Sequence, residues 1–149
     1  MNKKKILCIF GTRPEAIKML PIIQLLKQRT DYFTPIVCVT AQHRSMLDDV
    51  MDLHGIKPDI DLDIMRPQQT LASVTEQILN KVTEVVKQTR PDIMLVHGDT
   101  ATAYAAALAG FYLDIPIGHI EAGLRTGDRK NPFPEEFYRT SIGLLASYH

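Results

Sequence analysis

Short apolar runs and helix-patterned segments alternate along the whole chain, and this alternation limits the possible folds more than any single motif does. Ile6-Leu-Cys-Ile-Phe10 is a continuous β-rich apolar run, as a parallel strand buried on both faces requires. Gly11-Thr-Arg-Pro14 turns the chain, and Pro14 suits a first helical position. Apolar residues then recur at Ile17, Leu20, Ile23, Leu25 and Leu26, which predicts a helix ending near Gln28. Residues 35–40 read as a second strand, 45–53 as a helix closed by Gly55, and 61–65 as a short, weak strand. A long amphipathic helix over 71–88 stops before Pro91. Ile93-Met-Leu-Val-His97 is another buried strand, 100–113 an Ala-rich helix, 117–121 a fifth strand, and a last helix begins near Pro134. Five strand–helix alternations mean βαβ units around a parallel sheet. With right-handed crossovers the expected fold is α/β, a doubly wound, Rossmann-like sheet.

The length of 149 residues fits one domain spanning 1–149. Such a chain buries roughly 70% of its unfolded surface, so it needs no disulfide or metal to be stable. Lys plus Arg and Asp plus Glu are 17 each. That balance argues against a nucleic-acid surface, which needs a basic excess on one face, so any anionic ligand must be met by a few placed cations. Cys8 and Cys38 sit in apolar runs without a Cys-x-x-Cys spacing, and read as small buried hydrophobes in reduced form. Met1-Asn-Lys-Lys-Lys5 resembles the charged start of a signal peptide, but the apolar run after it is too short for one. No stretch approaches the length of a membrane span, and the expected location is the cytoplasm. The chain stops at Leu144-Leu-Ala-Ser-Tyr-His149 with no polar tail. This is expected to be an interruption that leaves a sheet edge unpaired and an apolar face bare.

In an open parallel sheet, ligands bind beyond the carboxyl ends of the strands, and the distinctive residues fall there. Gly11-Thr-Arg-Pro-Glu-Ala-Ile-Lys18 is neither G-x-G-x-x-G nor a P-loop. It still sets a Gly and a helix start beside Arg13 and Lys18, a candidate phosphate site; a surface Arg–Glu pair is the alternative. Asp99, after the fourth strand, is either the N-cap of the Ala-rich helix or a functional acid. Glu121 ends an apolar strand ahead of Ala122-Gly123 with no helix to cap, which favours function. Glu135 and Glu136 open the last helix, where acidic side chains complement the dipole in any case. His97 and His119 read as core groups, while His54 and His149 are unassigned. Three carboxylates near one crevice, facing two cations, suit acid–base chemistry on an anionic substrate.

At these residues the chain resembles the bacterial non-hydrolysing UDP-N-acetylglucosamine 2-epimerases. The matching segments are Gly11-Thr-Arg-Pro-Glu-Ala-Ile-Lys-Met-Leu-Pro21, Thr40-Ala-Gln-His-Arg44, Val96-His-Gly-Asp-Thr100, His119-Ile-Glu-Ala-Gly-Leu-Arg-Thr-Gly127 and Pro132-Phe-Pro-Glu-Glu136. The resemblance implies the amino-terminal domain of a glycosyltransferase-B-type enzyme, with a carboxyl-terminal domain absent from this chain. It implies interconversion of UDP-GlcNAc and UDP-ManNAc by elimination and re-addition of UDP through a glycal, with no cofactor and no metal, in a homodimer that serves bacterial surface polysaccharides. Motif by motif, it makes Asp99, Glu121 and Glu135 catalytic, Arg13 and Lys18 substrate contacts, and Gln42 and His43 contacts to a second, activating UDP-GlcNAc. Ser45 and Gln68 stand where some relatives carry longer or charged side chains. The expected outcome for the chain alone is no activity, because one wall of the cleft and part of the nucleotide grip belong to the other domain.

Three other readings compete. A glycosyltransferase on the same scaffold would transfer sugar to an acceptor, and fold alone does not separate the two. A hydrolysing epimerase would release free ManNAc and UDP. A non-catalytic nucleotide-binding or dimerising module would do neither.

Overall fold

The computed structural model describes residues 2–42 and 44–149. Its elements run β1 (Lys4–Phe10), α1 (Arg13–Gln28), β2 (Phe33–Val39), α2 (Arg44–Leu53), β3 (Ile60–Asp61), α3 (Leu71–Thr89), β4 (Ile93–His97), α4 (Ala101–Tyr112), β5 (Ile117–Ile120) and α5 (Glu135–Leu145). The five strands form one sheet in the order β3-β2-β1-β4-β5, and every pairing is parallel. The order reverses at β1, between β2 and β4, so the switch point lies where the β1 and β4 loops part.

The period-two pattern of β1 divides the core. Ile6, Cys8 and Phe10 pack with α1 and α2 residues such as Met19, Leu20, Ile23 and Leu47. Leu7 and Ile9 face the opposite way, onto α3, α4 and α5 through Ile78, Val82, Ala106 and Ile142. Both faces being covered is why β1 reads as an unbroken apolar run. Cys8 and Cys38 are buried and free, and burial pushes both thiols up to about 12. The Ala-rich character of α4 follows from its position: eight of its residues are buried between the sheet, α3 and α5, where larger side chains would not fit.

Two features differ from the sequence expectations. The third strand spans Ile60–Asp61, not 61–65. Asp63 takes a positive φ of 43° and Ile64 N–H reaches back to Thr40 C=O at 3.0 Å, so the chain leaves strand geometry after one pair of residues. The outer edge of β5 is also not bare. Tyr148 bridges Gly118 in parallel, Ser147 N–H donates to Ile117 C=O at 2.8 Å, and His119 N–H to Tyr148 C=O at 2.9 Å. On the α1 side of the sheet, Ile93, Leu95 and Ile120 are only partly buried, because α1 and α2 cover the β1–β2 half. Among the described residues, no helix is long and apolar enough to cross a membrane.

Candidate active site at the carboxyl ends of β1, β4 and β5

The β4 exit is built from Gly98, Asp99 and Thr100. Gly98 has φ +68°, a left-handed turn that glycine adopts without steric cost. Thr100, not Asp99, caps α4: its hydroxyl accepts from Ala103 N–H at 3.0 Å. Asp99 is thereby released from the capping role. Its Oδ2 instead accepts from the Arg139 guanidinium at 2.8 Å, an ion pair in which Arg139 is buried and Asp99 about one-third exposed.

Arg139 is the residue that the sequence reading missed. It lies one turn into α5, and the same guanidinium also donates to the backbone carbonyl of Glu121. It therefore joins the β4 and β5 exits from a third element. The only sequence signal was a cation four residues after Glu135, which on a surface helix would be ordinary. Glu121 itself has φ 60°, an uncommon conformation for a residue with a Cβ, and its Oε2 lies 3.1 Å from His97 Nε2. His97 is thus not a plain core group; its ring N–H meets a carboxylate that is partly exposed. His119 donates from Nε2 to Gly98 C=O at 2.7 Å, leaving a buried Nδ1 without a partner among the described residues. Burial holds His119 below its ordinary value, with the Gly98 bond pulling the other way.

Glu135 opens α5 one turn before Arg139. Among the described residues it has no hydrogen bond or ion pair to Asp99 or Glu121, and its Oε2 is buried without a partner. Its neighbour Glu136 is structural. The Glu136 carboxylate accepts from Arg125 Nε at 2.9 Å, Thr126 N–H at 3.0 Å and Gly127 N–H at 3.1 Å. The Thr126 bond, with help from Arg125 and Gly127, holds it below the usual carboxylate range.

Among the described residues, Arg13 and Lys18 make no ion pair with Asp99, Glu121 or Glu135. Arg13 and Lys18 are exposed, and Arg13 lines a hollow of about 300 Å³ with Met46, Asp49, Val50 and Leu53 of α2, on the β2 side of β1. Among the described residues the surface Arg–Glu pair is not formed either, because Glu15 turns inward and is buried. Gln42 accepts from the Thr102 hydroxyl at 3.3 Å, which ties the β2 exit to α4; His43 lies outside the described residues. Gly11 is required for that contact: a Cβ there would come 2.0 Å from Thr40 Oγ1 and 2.7 Å from Thr102 Oγ1. Among the described residues, no group of three or more His, Cys, Asp or Glu side chains could hold a metal ion.

The five-stranded, all-parallel, doubly wound sheet, with Arg139 joining the Asp99 carboxylate to the Glu121 carbonyl at its carboxyl edge, has the architecture of a glycosyltransferase-B-type amino-terminal domain. The family described as UDP-N-acetylglucosamine 2-epimerase matches residues 25–149, and the chain belongs to that family. It is 57% identical over 145 residues to a UDP-N-acetylglucosamine 2-epimerase of Yersinia pestis, covering 97% of this chain and 38% of that protein. The crystal structure of UDP-GlcNAc 2-epimerase from Neisseria meningitidis, bound to UDP-GlcNAc, superposes with a TM-score of 0.94 at 52% identity, over 97% of this chain and 39% of that one. MurG from Acinetobacter baumannii, at 17% identity and a TM-score of 0.67 over 98% of this chain and 40% of its own, shares the fold. The chain spans about two fifths of the length of the curated relatives it matches.

Proposed function

We propose that this chain supplies the amino-terminal half of an enzyme that interconverts UDP-GlcNAc and UDP-ManNAc, completed by a second domain across the cleft. The observation that carries this reading is the Asp99–Arg139–Glu121 arrangement in a chain of the epimerase family. C2 of the sugar has no adjacent carbonyl, so direct proton abstraction there is hard. Elimination avoids the difficulty: a base takes the C2 proton, the C1–O bond breaks with its electrons leaving on UDP, and a glycal remains. Re-addition of UDP at C1 with protonation of C2 on the other face gives the epimer.

Asp99 and Glu121 are the acid–base groups in this scheme, with Glu135 as the third carboxylate. Arg13 and Lys18 reach the diphosphate by their side chains. Gln42 and His43 serve an activating second nucleotide sugar. The enzyme works in the cytoplasm as a homodimer, without a metal or cofactor.

The test is made on the protein completed by its second domain. Product formed in D₂O carries deuterium at C2, and Asp99→Asn and Glu121→Gln each lower turnover by about 10²-fold or more, the usual scale for an acid–base group. Both amides keep the fold, since they preserve shape. Product without deuterium would remove the elimination route, and near-wild-type turnover in both variants would return these carboxylates to structural roles.

A further inference from the structure

Doubly wound domains commonly take a ligand's phosphate at the helix start after the first strand, where free N–H groups and the dipole favour an anion. Here that place is filled by the chain itself. Glu15 Oε2 accepts from Gly11 N–H at 2.9 Å, Thr12 N–H at 2.8 Å and the Thr12 hydroxyl at 2.8 Å. Its Oε1 accepts from the Thr100 hydroxyl at 2.7 Å. The side chain is 1% exposed, and all four partners are donors, as an ionised carboxylate needs. A glutamate at this position of a capping box normally reaches only to its own helix start. Glu15 also reaches the cap of α4, across the switch point between β1 and β4.

Thr100 is the joint between the two helix starts. Its hydroxyl accepts from Ala103 N–H and gives its hydrogen to Glu15, so its rotation is fixed. Asp99 comes immediately before it. On the other side of Asp99, Gly98 N–H donates to Ile120 C=O at 2.9 Å and Gly98 C=O accepts from His119. The turn that presents Asp99 is therefore held at both ends by buried groups from other elements, while Arg139 holds its carboxylate. Burial pushes the Glu15 carboxyl up from its ordinary value, against the pull of the Thr100, Gly11 and Thr12 donors.

We propose that Glu15 is a positioning residue for Asp99: an internal anion that ties the β1–α1 loop to Thr100 and leaves Gly11 and Thr12 with no amide to offer a phosphate. What α1 contributes to a nucleotide diphosphate then comes from the Arg13 and Lys18 side chains, not from the Gly11 and Thr12 amides. The effect on turnover rests on the epimerase reading; the closure of the loop does not.

Amide NMR signals of Gly11 and Thr12 report the loop directly in the 149-residue chain. Titration with inorganic phosphate leaves both signals in place in the wild type, while in Glu15→Ala it moves both. In the protein completed for activity, Glu15→Gln and Glu15→Ala lower kcat by about 10²-fold, the scale of an ångström-sized misplacement. KM stays within about twofold, the split expected when only the reacting geometry is lost. Movement of the Gly11 and Thr12 amides by inorganic phosphate in the wild type overturns the proposal, as does wild-type kcat in Glu15→Ala. Should Glu15→Ala not fold, the wild-type titration and Glu15→Gln decide. A completed wild-type protein without epimerase activity would sink the functional reading alone, and the titration would still judge the loop.

Discussion

Glu121 occupies left-handed backbone at φ 60°, which costs a residue with a Cβ about 1–2 kcal/mol. Strain of this kind persists where the surroundings enforce it, here through Arg139 on its carbonyl and His97 on its carboxylate. Two substitutions separate the backbone from the side chain. Glu121→Gly and Glu121→Ala both lose the carboxylate, and both lose activity in the completed protein. Only glycine relieves the strain, so Glu121→Gly unfolds at the higher temperature, with about 1 kcal/mol more stability than Glu121→Ala. Equal melting of the two would mean that the left-handed turn relaxes at no cost and that no strain is held there. The conformation was not visible in the sequence, which marked Glu121 only as a strand-ending acid without a cap to make.

At the scale of elements, one side chain gathers the middle of the segment between β5 and α5. Glu136, at the start of α5, gathers Arg125, Thr126 and Gly127, so this stretch is anchored to the helix without strand or helix pairing of its own. The Thr126 and Gly127 amides and the Arg125 guanidinium favour the charged form, and the folded-state pKa of Glu136 is accordingly lowered. Between that lowered value and the unfolded value of about 4.3, the unfolded chain binds more protons, so stability rises with pH across this window. The contribution is fully present above the unfolded value and is lost as pH falls through the folded one. Glu136→Gln turns an amide N–H toward donors and removes the charge. Its stability should fall below wild type at neutral pH and converge on it in acid, a comparison that denaturant melts across pH 2–7 make directly. A constant gap at every pH would show that packing, not charge, anchors the loop. The sequence had left Glu135 and Glu136 equivalent, because a helix dipole accounts for both; the fold distinguishes them, since only Glu136 turns back to the loop while the Glu135 Oε2 is buried without a partner.

For the whole molecule, the question is how much of a two-walled site one wall supplies. Asp99, Glu121 and Arg139 are assembled within these residues, yet the chain covers 38% of the Yersinia pestis relative it matches. In the proposed reaction, holding UDP beside the glycal through elimination and return would need positioning that can contribute several kcal/mol of the barrier. The 149-residue chain assayed alone should therefore show no epimerisation of UDP-GlcNAc, and adding the complementing domain should restore it. Substantial activity from the short chain would make it a sufficient enzyme and would remove the second wall from the mechanism. Sedimentation of the same sample tests the homodimer, with a purely monomeric species counting against it.

The order of elements, the doubly wound class and the places of Asp99 and Glu121 just after β4 and β5 were legible in the sequence. They follow from local periodicity and from chain order, which a one-dimensional pattern records. Boundaries shifted where a distant partner intervened, as at Asp63 and Ile64, where the third strand ended early. Most of the roles within the site were decided by tertiary structure. Thr100 displaced Asp99 as the cap, Glu15 turned inward from the surface where its neighbours Arg13 and Lys18 stay, and Arg139 came from α5 to join two strand exits. The Thr100 cap reaches only to Ala103, three positions on, but the Glu15–Thr100, Arg139–Glu121 and Arg139–Asp99 contacts join residues 18 to 85 positions apart. Such contacts arise only when the sheet brings β1, β4 and β5 side by side, and no local pattern of apolar and polar residues carries that information.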